Sequence, residues 1–179
     1  DRLSAVFGND QAPLELNTPD GAFNSTLNGS WSASGINPAF LGLFPEMADD
    51  TYATIGLDGP ASSSGIAGSA DPQLFEIGDI VNNYFTVPET TSLFANTTDG
   101  VEWTYSAPQL VTNTLPDDNM RVLVLQVTTT GSISGILNYQ VLPLGVVGNQ
   151  VQISMPFDGL GHYIYEQNFN DCGCTNDTA

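Results

Sequence analysis

The chain has 179 residues, a mass of 19.0 kDa and a net charge of -18, because 20 acidic residues face only two basic ones, both arginine. A single hydrophobic core suits this length. The hydrophobic fraction of 41% is too high for a disordered tail, and no apolar run reaches the roughly 18 residues that span a membrane. We therefore expect no membrane insertion, and without a basic stripe we expect no nucleic-acid partner. A negative surface favours cations instead.

The first half of the chain has short apolar segments separated by residues that favour turns. Gly, Pro, Ser, Thr and Asn fill the intervals, a composition that favours strands over helices. The predicted strands are residues 3–7, 14–16, 27–34, 51–57, 84–87 and 101–105. Two long connections separate some of them. Residues 37–47 either cover one end of the core or expose an apolar patch, and the uncharged residues 59–70 form a mobile or a tightly packed loop.

The second half is more regular. Residues 121–129 are apolar on both faces at first and predict a central strand, while residues 133–142 and 151–157 alternate apolar and polar positions. With residues 162–166 they predict a four-strand antiparallel meander. About ten strands in all predict an all-β fold, a two-sheet antiparallel sandwich or jelly roll over residues 1–170. Residues 171–179 then begin a Cys-containing linker or repeat.

Catalytic patterns are scarce. His162 is the one histidine, and no G-x-S-x-G motif is present, so nucleophile triads and zinc sites are disfavoured. A pair of carboxylates acting as a hydrolase is the remaining enzymatic alternative. We expect a protein that is not an enzyme.

Calcium is the cofactor that the oxygen-rich loops favour. Two acidic clusters are its candidate ligands, although acidic and amide side chains also start turns by bonding their own backbone. The candidates are Glu46, Asp49 and Asp50 in one loop and Asp117, Asp118 and Asn119 in another. Arg121 offers a competing structural role, because it can pair with one of the second group.

Trp31 and Trp103 are the candidate stacking platforms for a glycan, together with Tyr52, Tyr84 or Tyr105, although aromatic residues in strands more often belong to a core. Four sequons for N-glycosylation occur, and in a chain rich in Ser, Thr and Asn their number is close to chance. They are at Asn24, Asn28, Asn96 and Asn176.

Cys172 and Cys174 are two residues apart, a spacing that strains a disulfide between them. At least one is expected to pair with a cysteine outside this chain or beyond its end. That implies an oxidising, extracellular setting and a chain cut from a longer one.

Residues 173–179, GCTNDTA, resemble the start of the G-C-T-(D/N)-x-x-A-C-N-Y repeats that follow secreted domains in large surface proteins of marine bacteria. Residues 50–56 and 118–131 resemble segments of the domains found ahead of such repeats. The resemblance implies secretion and a β-rich exterior module, and it brings no catalytic residues.

Together these features predict a non-enzymatic extracellular structural module, a subunit of a cell-surface adhesive or filamentous assembly. Its partners would be copies of itself or other surface proteins, joined by strand addition through residues 3–7 or an edge strand. The alternative is a calcium-assisted carbohydrate-binding module.

Overall fold

A computed structural model describes residues 1–159 and confirms an all-β fold of antiparallel strands with one short α-helix. Alternating apolar positions and frequent turn residues account for the strands. The strands are β1 (Arg2–Gly8), β2 (Leu14–Ala22), β3 (Tyr52–Ala53), β4 (Gln73–Phe75), β5 (Thr90–Ala95), β6 (Val101–Thr104), β7 (Leu125–Gln126), β8 (Ser134–Leu142) and β9 (Val151–Asp158), and the helix is α1 (Ile80–Thr86).

Seven strands form the main sheet, and β8 pairs with three of the others. Along one edge, β8 pairs with β2 near its start and with β1 near its end. Along the other edge it pairs with β9. Strand β6 lies outside β1 and carries β4, whereas β5 lies outside β2. Strand β1 is therefore internal to its own sheet, and the expectation that residues 3–7 complete a neighbour's sheet is wrong.

Asn138 fills the junction where the chain leaves β1 and enters β2. Its side chain is fully buried, and its Nδ2 donates to the carbonyl oxygens of Phe7, Ala12 and Pro13 at 3.0 to 3.2 Å. Its Oδ1 accepts a hydrogen bond from the Ser154 hydroxyl of β9. One side chain thus replaces the ladder hydrogen bonds that the interruption at residues 9–13 removes.

A second, irregular layer covers the main sheet. We call residues 23–70 and 107–130, which contain β3 and β7, the cover layer. Its regular pairing is limited to Tyr52 with Gln126 and Ala53 with Leu125, although further backbone bonds run from Thr54 to Val124 (2.9 Å) and from Gly56 to Leu123 (2.7 Å). The core lies between the two layers.

Trp103 of β6 joins the layers directly. Its side chain is 0% exposed, its ring meets Phe85 of α1 edge-to-face with centroids 6.5 Å apart, and its Nε1 donates to the Thr54 carbonyl at 3.1 Å. Tyr105 makes a parallel connection, since its hydroxyl donates to the Ile55 carbonyl at 3.2 Å. The buried aromatic side chains therefore supply both apolar area and polar anchors.

Four predicted segments differ in the structure. Residues 51–57 and 121–129 contain only the two-residue strands β3 and β7, which pair with each other, so residues 121–129 are not the first strand of a meander. Residues 27–34 form no regular strand, and residues 84–87 fall in and after α1. Glu76 explains the helix, because its carboxylate accepts hydrogen bonds from the backbone N–H groups of Val81 (2.7 Å) and Asn82 (3.1 Å), which the first turn leaves free.

The hairpin of β8 and β9 confirms the predicted strands 133–142 and 151–157. Residues 59–70 lie on the surface and are held there by hydrogen bonds, among them Thr112 N to the Gly68 carbonyl at 3.0 Å, so the loop is not packed under another segment. The loop 37–47 buries Met47 but exposes Phe40, Leu43 and Phe44. The outer part of this loop is thus an exposed apolar patch, the second of the two alternatives predicted for residues 37–47. The predicted strand 162–166 and the linker from residue 171 lie outside the described residues.

Candidate functional site

The structure gives Asp50 a structural role instead of a place in a calcium site. The residue is 1% exposed; its Oδ1 accepts the Ser25 N–H and its Oδ2 accepts the Asn28 Nδ2, both at 2.6 Å. Burial raises the pKa of the Asp50 carboxyl above its usual value, and the two hydrogen bonds offset part of that increase. The prediction that Asp50 is a cation ligand is wrong, because both oxygens are already engaged inside the protein.

Glu46 and Asp49 remain exposed on the same loop. They face Asp20 and Glu89 across a groove of about 550 Å³. Within residues 1–159 no three acidic, histidine or cysteine side chains are close enough to hold a metal ion together. The structure therefore places these four acidic side chains around one groove.

Asp117 organises a turn, as the competing interpretation predicts. Its Oδ1 accepts the backbone N–H groups of Asn119 and Arg121, each at 2.9 Å, and these bonds together with the Arg121 charge lower the pKa of the Asp117 carboxyl. The Arg121 guanidinium lies 3.5 Å from Asp117 Oδ2, which confirms that arginine pairs with this acid group. Asp118 and Asn119 are exposed beside it.

The predicted glycan platforms are mostly in the core. Trp103, Tyr52, Tyr84 and Tyr105 are 0%, 3%, 1% and 6% exposed, so none offers a ring face to a ligand and the prediction for Trp103 is wrong. Trp31 is half-buried and packs against the core cluster. These aromatic side chains have the packing role that competed with the binding role.

Two of the glycosylation candidates are also buried. The Asn24 Nδ2 donates to the Tyr84 carbonyl at 2.7 Å, and the Asn28 Nδ2 donates to Asp50, so neither nitrogen is available for a sugar in the folded protein. Asn96 is exposed in the β5–β6 turn. Asn176, Cys172, Cys174 and His162 lie outside the described residues.

Exposed apolar side chains collect at one end of the fold instead. Among residues 1–159, six apolar side chains are at least 60% exposed, and four of them lie at the end of the sheet where β1 begins and the β8–β9 hairpin turns. We call these four the end patch: Leu110 (75%), Met120 (80%), Leu144 (88%) and Val147 (60%). The other two are Leu43 (74%) and Ile77 (67%). Large exposed apolar patches on soluble domains mark contact surfaces.

Arg2 holds the parts of the end patch together. Its Nη1 donates to the Val111 carbonyl at 2.7 Å, next to Leu110, and its side chain lies against Gly145, next to Leu144. The Leu144 N–H in turn donates to Asp1 Oδ1 at 2.9 Å. Two separate segments, residues 110–111 and 144–145, thus converge on Asp1 and Arg2.

A groove of about 330 Å³ runs beside the end patch. Arg2 and Met120 line it together with Val124, Tyr139 and Ile153 from the two layers. Burial in this apolar setting raises the pKa of the Tyr139 phenol to about 12. The surface next to the end patch is therefore a concave groove with a largely apolar lining.

Sequence reasoning missed the end patch, since its members are far apart in the chain and three follow or lie in short turns. The one available signal was the run Pro143-Leu144-Gly145-Val146-Val147. It places three apolar residues in a turn between β8 and β9, where polar residues are usual.

No family model matches the chain, and neither curated proteins nor solved structures include a match. Within residues 1–159, no helix is both long and apolar enough to cross a membrane.

Proposed function

We propose that this chain is a non-enzymatic extracellular structural module whose copies contact one another through the end patch in a cell-surface assembly. The observation that carries the proposal is the concentration of four of the six most exposed apolar side chains around Arg2. Burying such a patch in a contact removes apolar area from water at roughly 25 cal/mol per Å². A second copy is the partner that we infer.

The distribution of positive charge supports a second copy. Arg2 and Arg121 are the chain's only basic side chains apart from the single histidine, and both lie at this end, Arg121 directly after Met120. Two chains of net charge -18 repel each other, and the repulsion is weakest where the arginines offset the acids. The end patch is thus the surface on which one copy tolerates another best.

The use of polar side chains supports a structural role. Asp50, Glu76, Asn113 and Asn138 each make at least two internal hydrogen bonds, and each of them fixes a loop, a helix start or a strand junction. These side chains therefore use their hydrogen-bonding groups inside the protein. The extracellular setting rests on the two cysteines near residue 173 and on the resemblance to secreted surface modules.

Sedimentation velocity of the full chain tests the proposal. We expect monomers at low salt and association at about 0.5 M NaCl, because salt screens the repulsion between acidic surfaces but leaves apolar contact intact. The variant Leu144→Asp should stay monomeric at both salt concentrations. Leu43→Asp is the matched control, since Leu43 is similarly exposed on the loop 37–47, and it should associate like the wild type.

A wild-type chain that stays monomeric at both salt concentrations up to about 100 μM would contradict the proposal, a concentration at which contacts of micromolar affinity are filled. If Leu43→Asp lost association while Leu144→Asp still associated, the contact would lie on the loop 37–47 instead of the end patch. Equal thermal unfolding temperatures of the two variants would show that neither result comes from misfolding.

A further inference from the structure

A second cleft lies on the outer face of the main sheet, at the other end of β1 from the end patch. It has a volume of about 550 Å³, and residues of β4, β6, β1, β8 and β9 line it. Arg2 and Phe7 are five residues apart along β1, so the cleft and the end patch are separated by roughly 16 Å. No contact proposed above involves this cleft.

The strand register places an aromatic ring and a carboxylate side by side in the cleft. Phe75 of β4 pairs with Glu102 of β6, and Glu102 pairs on its other side with Phe7 of β1. Directly opposed residues share a face of the sheet, and Trp103, the next residue along β6, points into the core. Glu102 and Phe75 therefore face outward, and the Phe75 side chain is 52% exposed.

Two amide side chains lie in the neighbouring row of the same face, two residues further along the strands. Gln140 of β8 pairs with Gln152 of β9, and both line the cleft. The Gln140 Nε2 donates to the Ser4 hydroxyl at 3.2 Å, which orients its carbonyl oxygen. From β4 to β9 the cleft crosses four strand spacings, a span of roughly 19 Å.

The Glu102 carboxylate has no hydrogen-bond or ion-pair partner among the described residues, although it is half-buried. Burial raises its pKa above the ordinary value, which means that the carboxylate has lost water without gaining a compensating donor. Hydroxyl groups of a ligand would supply such donors. Glu76, on the same wall, is different because its oxygens are taken by the start of α1.

We propose that this cleft binds a neutral oligosaccharide, with the Phe75 ring against a sugar face and Glu102, Gln140 and Gln152 bonded to its hydroxyl groups. The lining includes no basic residue, and the chain is strongly acidic, so anionic ligands are repelled. An exposed ring with convergent amide and carboxylate groups matches the mixed apolar and hydroxylated surface of a sugar. A span of several strands fits a chain of sugars better than one ring.

Titration calorimetry with cellohexaose, maltohexaose and laminarihexaose tests the proposal on the full chain. We expect at least one of them to bind with a Kd below about 1 mM. Phe75→Ala and Glu102→Gln should each weaken that binding about tenfold or more. Phe94→Ala is the matched control, because Phe94 is 51% exposed on β5, outside the cleft, and its affinity should stay within about twofold of the wild type.

Failure of all three hexasaccharides to bind at millimolar concentration would overturn the proposal, as would an equal loss of binding in Phe75→Ala and Phe94→Ala. Binding of spermidine that depends on Glu102 but not on Phe75 would overturn it in favour of a cationic ligand. Leu144→Asp should bind the sugar normally, so this test and the test of self-association fail independently.

Discussion

The main sheet and the cover layer are stabilised in different ways. Strands β8 and β9 pair over eight consecutive residues, and backbone hydrogen bonds hold that ladder. Strands β3 and β7 pair over two residues, and side chains of Asn28, Asp50 and Asn113 hold the surrounding loops. An irregular layer leaves backbone groups without ladder partners, and buried amides and carboxylates supply the partners instead.

The two layers differ in their sensitivity to side-chain replacements. A side-chain replacement in a regular ladder leaves the backbone bonds intact, whereas the same replacement in the cover layer removes the bonds that define its shape. Asn138 is the exception in the sheet, since it bridges the one place where the ladder is interrupted.

The largest effect is expected where the two layers meet. Trp103→Ala removes a fully buried ring and leaves the Thr54 carbonyl without its indole donor, so we expect a loss of about 3 to 5 kcal/mol in the free energy of unfolding. Urea denaturation measures the loss. A change below about 1 kcal/mol would mean that the layers are not joined through this ring.

Asn113→Ala should act mainly on the cover layer. The side chain donates to the carbonyl of Ile55 and to the Tyr105 hydroxyl, both at 2.6 Å, and accepts the Ala70 N–H at 3.0 Å. Leaving these groups unpaired should cost about 2 to 3 kcal/mol.

Hydrogen exchange locates the Asn113→Ala effect. Amides of residues 59–70 should lose protection while those of β8 keep it, and the exposed Asn96→Ala should change neither. Uniform loss of protection across both layers would contradict the separation between them.

Asp50→Asn should cost about 1 to 3 kcal/mol, because an amide nitrogen at this position faces the Asn28 Nδ2, another donor. The exchange of both residues, Asn28→Asp with Asp50→Asn, restores one donor and one acceptor and should recover most of the loss. Thermal unfolding compares the two variants with the wild type. A double variant no more stable than Asp50→Asn would show that the pairing is not what stabilises this loop.

The smallest effect concerns alkaline pH. Burial, with a smaller contribution from the Asp58 charge, raises the pKa of Tyr52 to about 12 from an ordinary value of 10.0. A raised pKa means that the stability from neutral Tyr52 is fully present below pH 10 and is lost as the pH rises through about 12. Tyr52→Phe should therefore gain about 1 kcal/mol relative to the wild type near pH 11.

Unfolding free energies of Tyr52→Phe and the wild type at pH 7 and near pH 11 measure that gain. Phenol absorbance provides the control, because tyrosinate should appear together with the loss of circular dichroism. A Tyr52 phenol that ionises near its ordinary value in the folded protein would contradict the assignment.

The sequence predicted the β8–β9 hairpin well, because alternation over eight or more residues is a local signal. It failed at residues 121–129, where the apolar run reflects an extended, half-buried segment whose partner, β3, is set by tertiary packing. It missed α1, which has seven residues and depends on the side chain of Glu76.

In the candidate sites too, features that depend on local bonds were predicted and features that depend on tertiary packing were not. The turn at Asp117 with Arg121 was predictable, since all its bonds are local. The burial of Asp50 and Trp103 and the convergence of the end patch depend on contacts between distant segments. No spacing along the chain reports such contacts.

Hydroxyl-radical footprinting of the methionines tests the central claim most directly. Met120 is 80% exposed in the end patch, while Met47 is 1% exposed and serves as an internal reference. At about 0.5 M NaCl, where screening is strong, raising the protein concentration should slow the oxidation of Met120 and leave Met47 unchanged. Oxidation of Met120 at the same rate at every protein concentration would contradict self-association through the end patch.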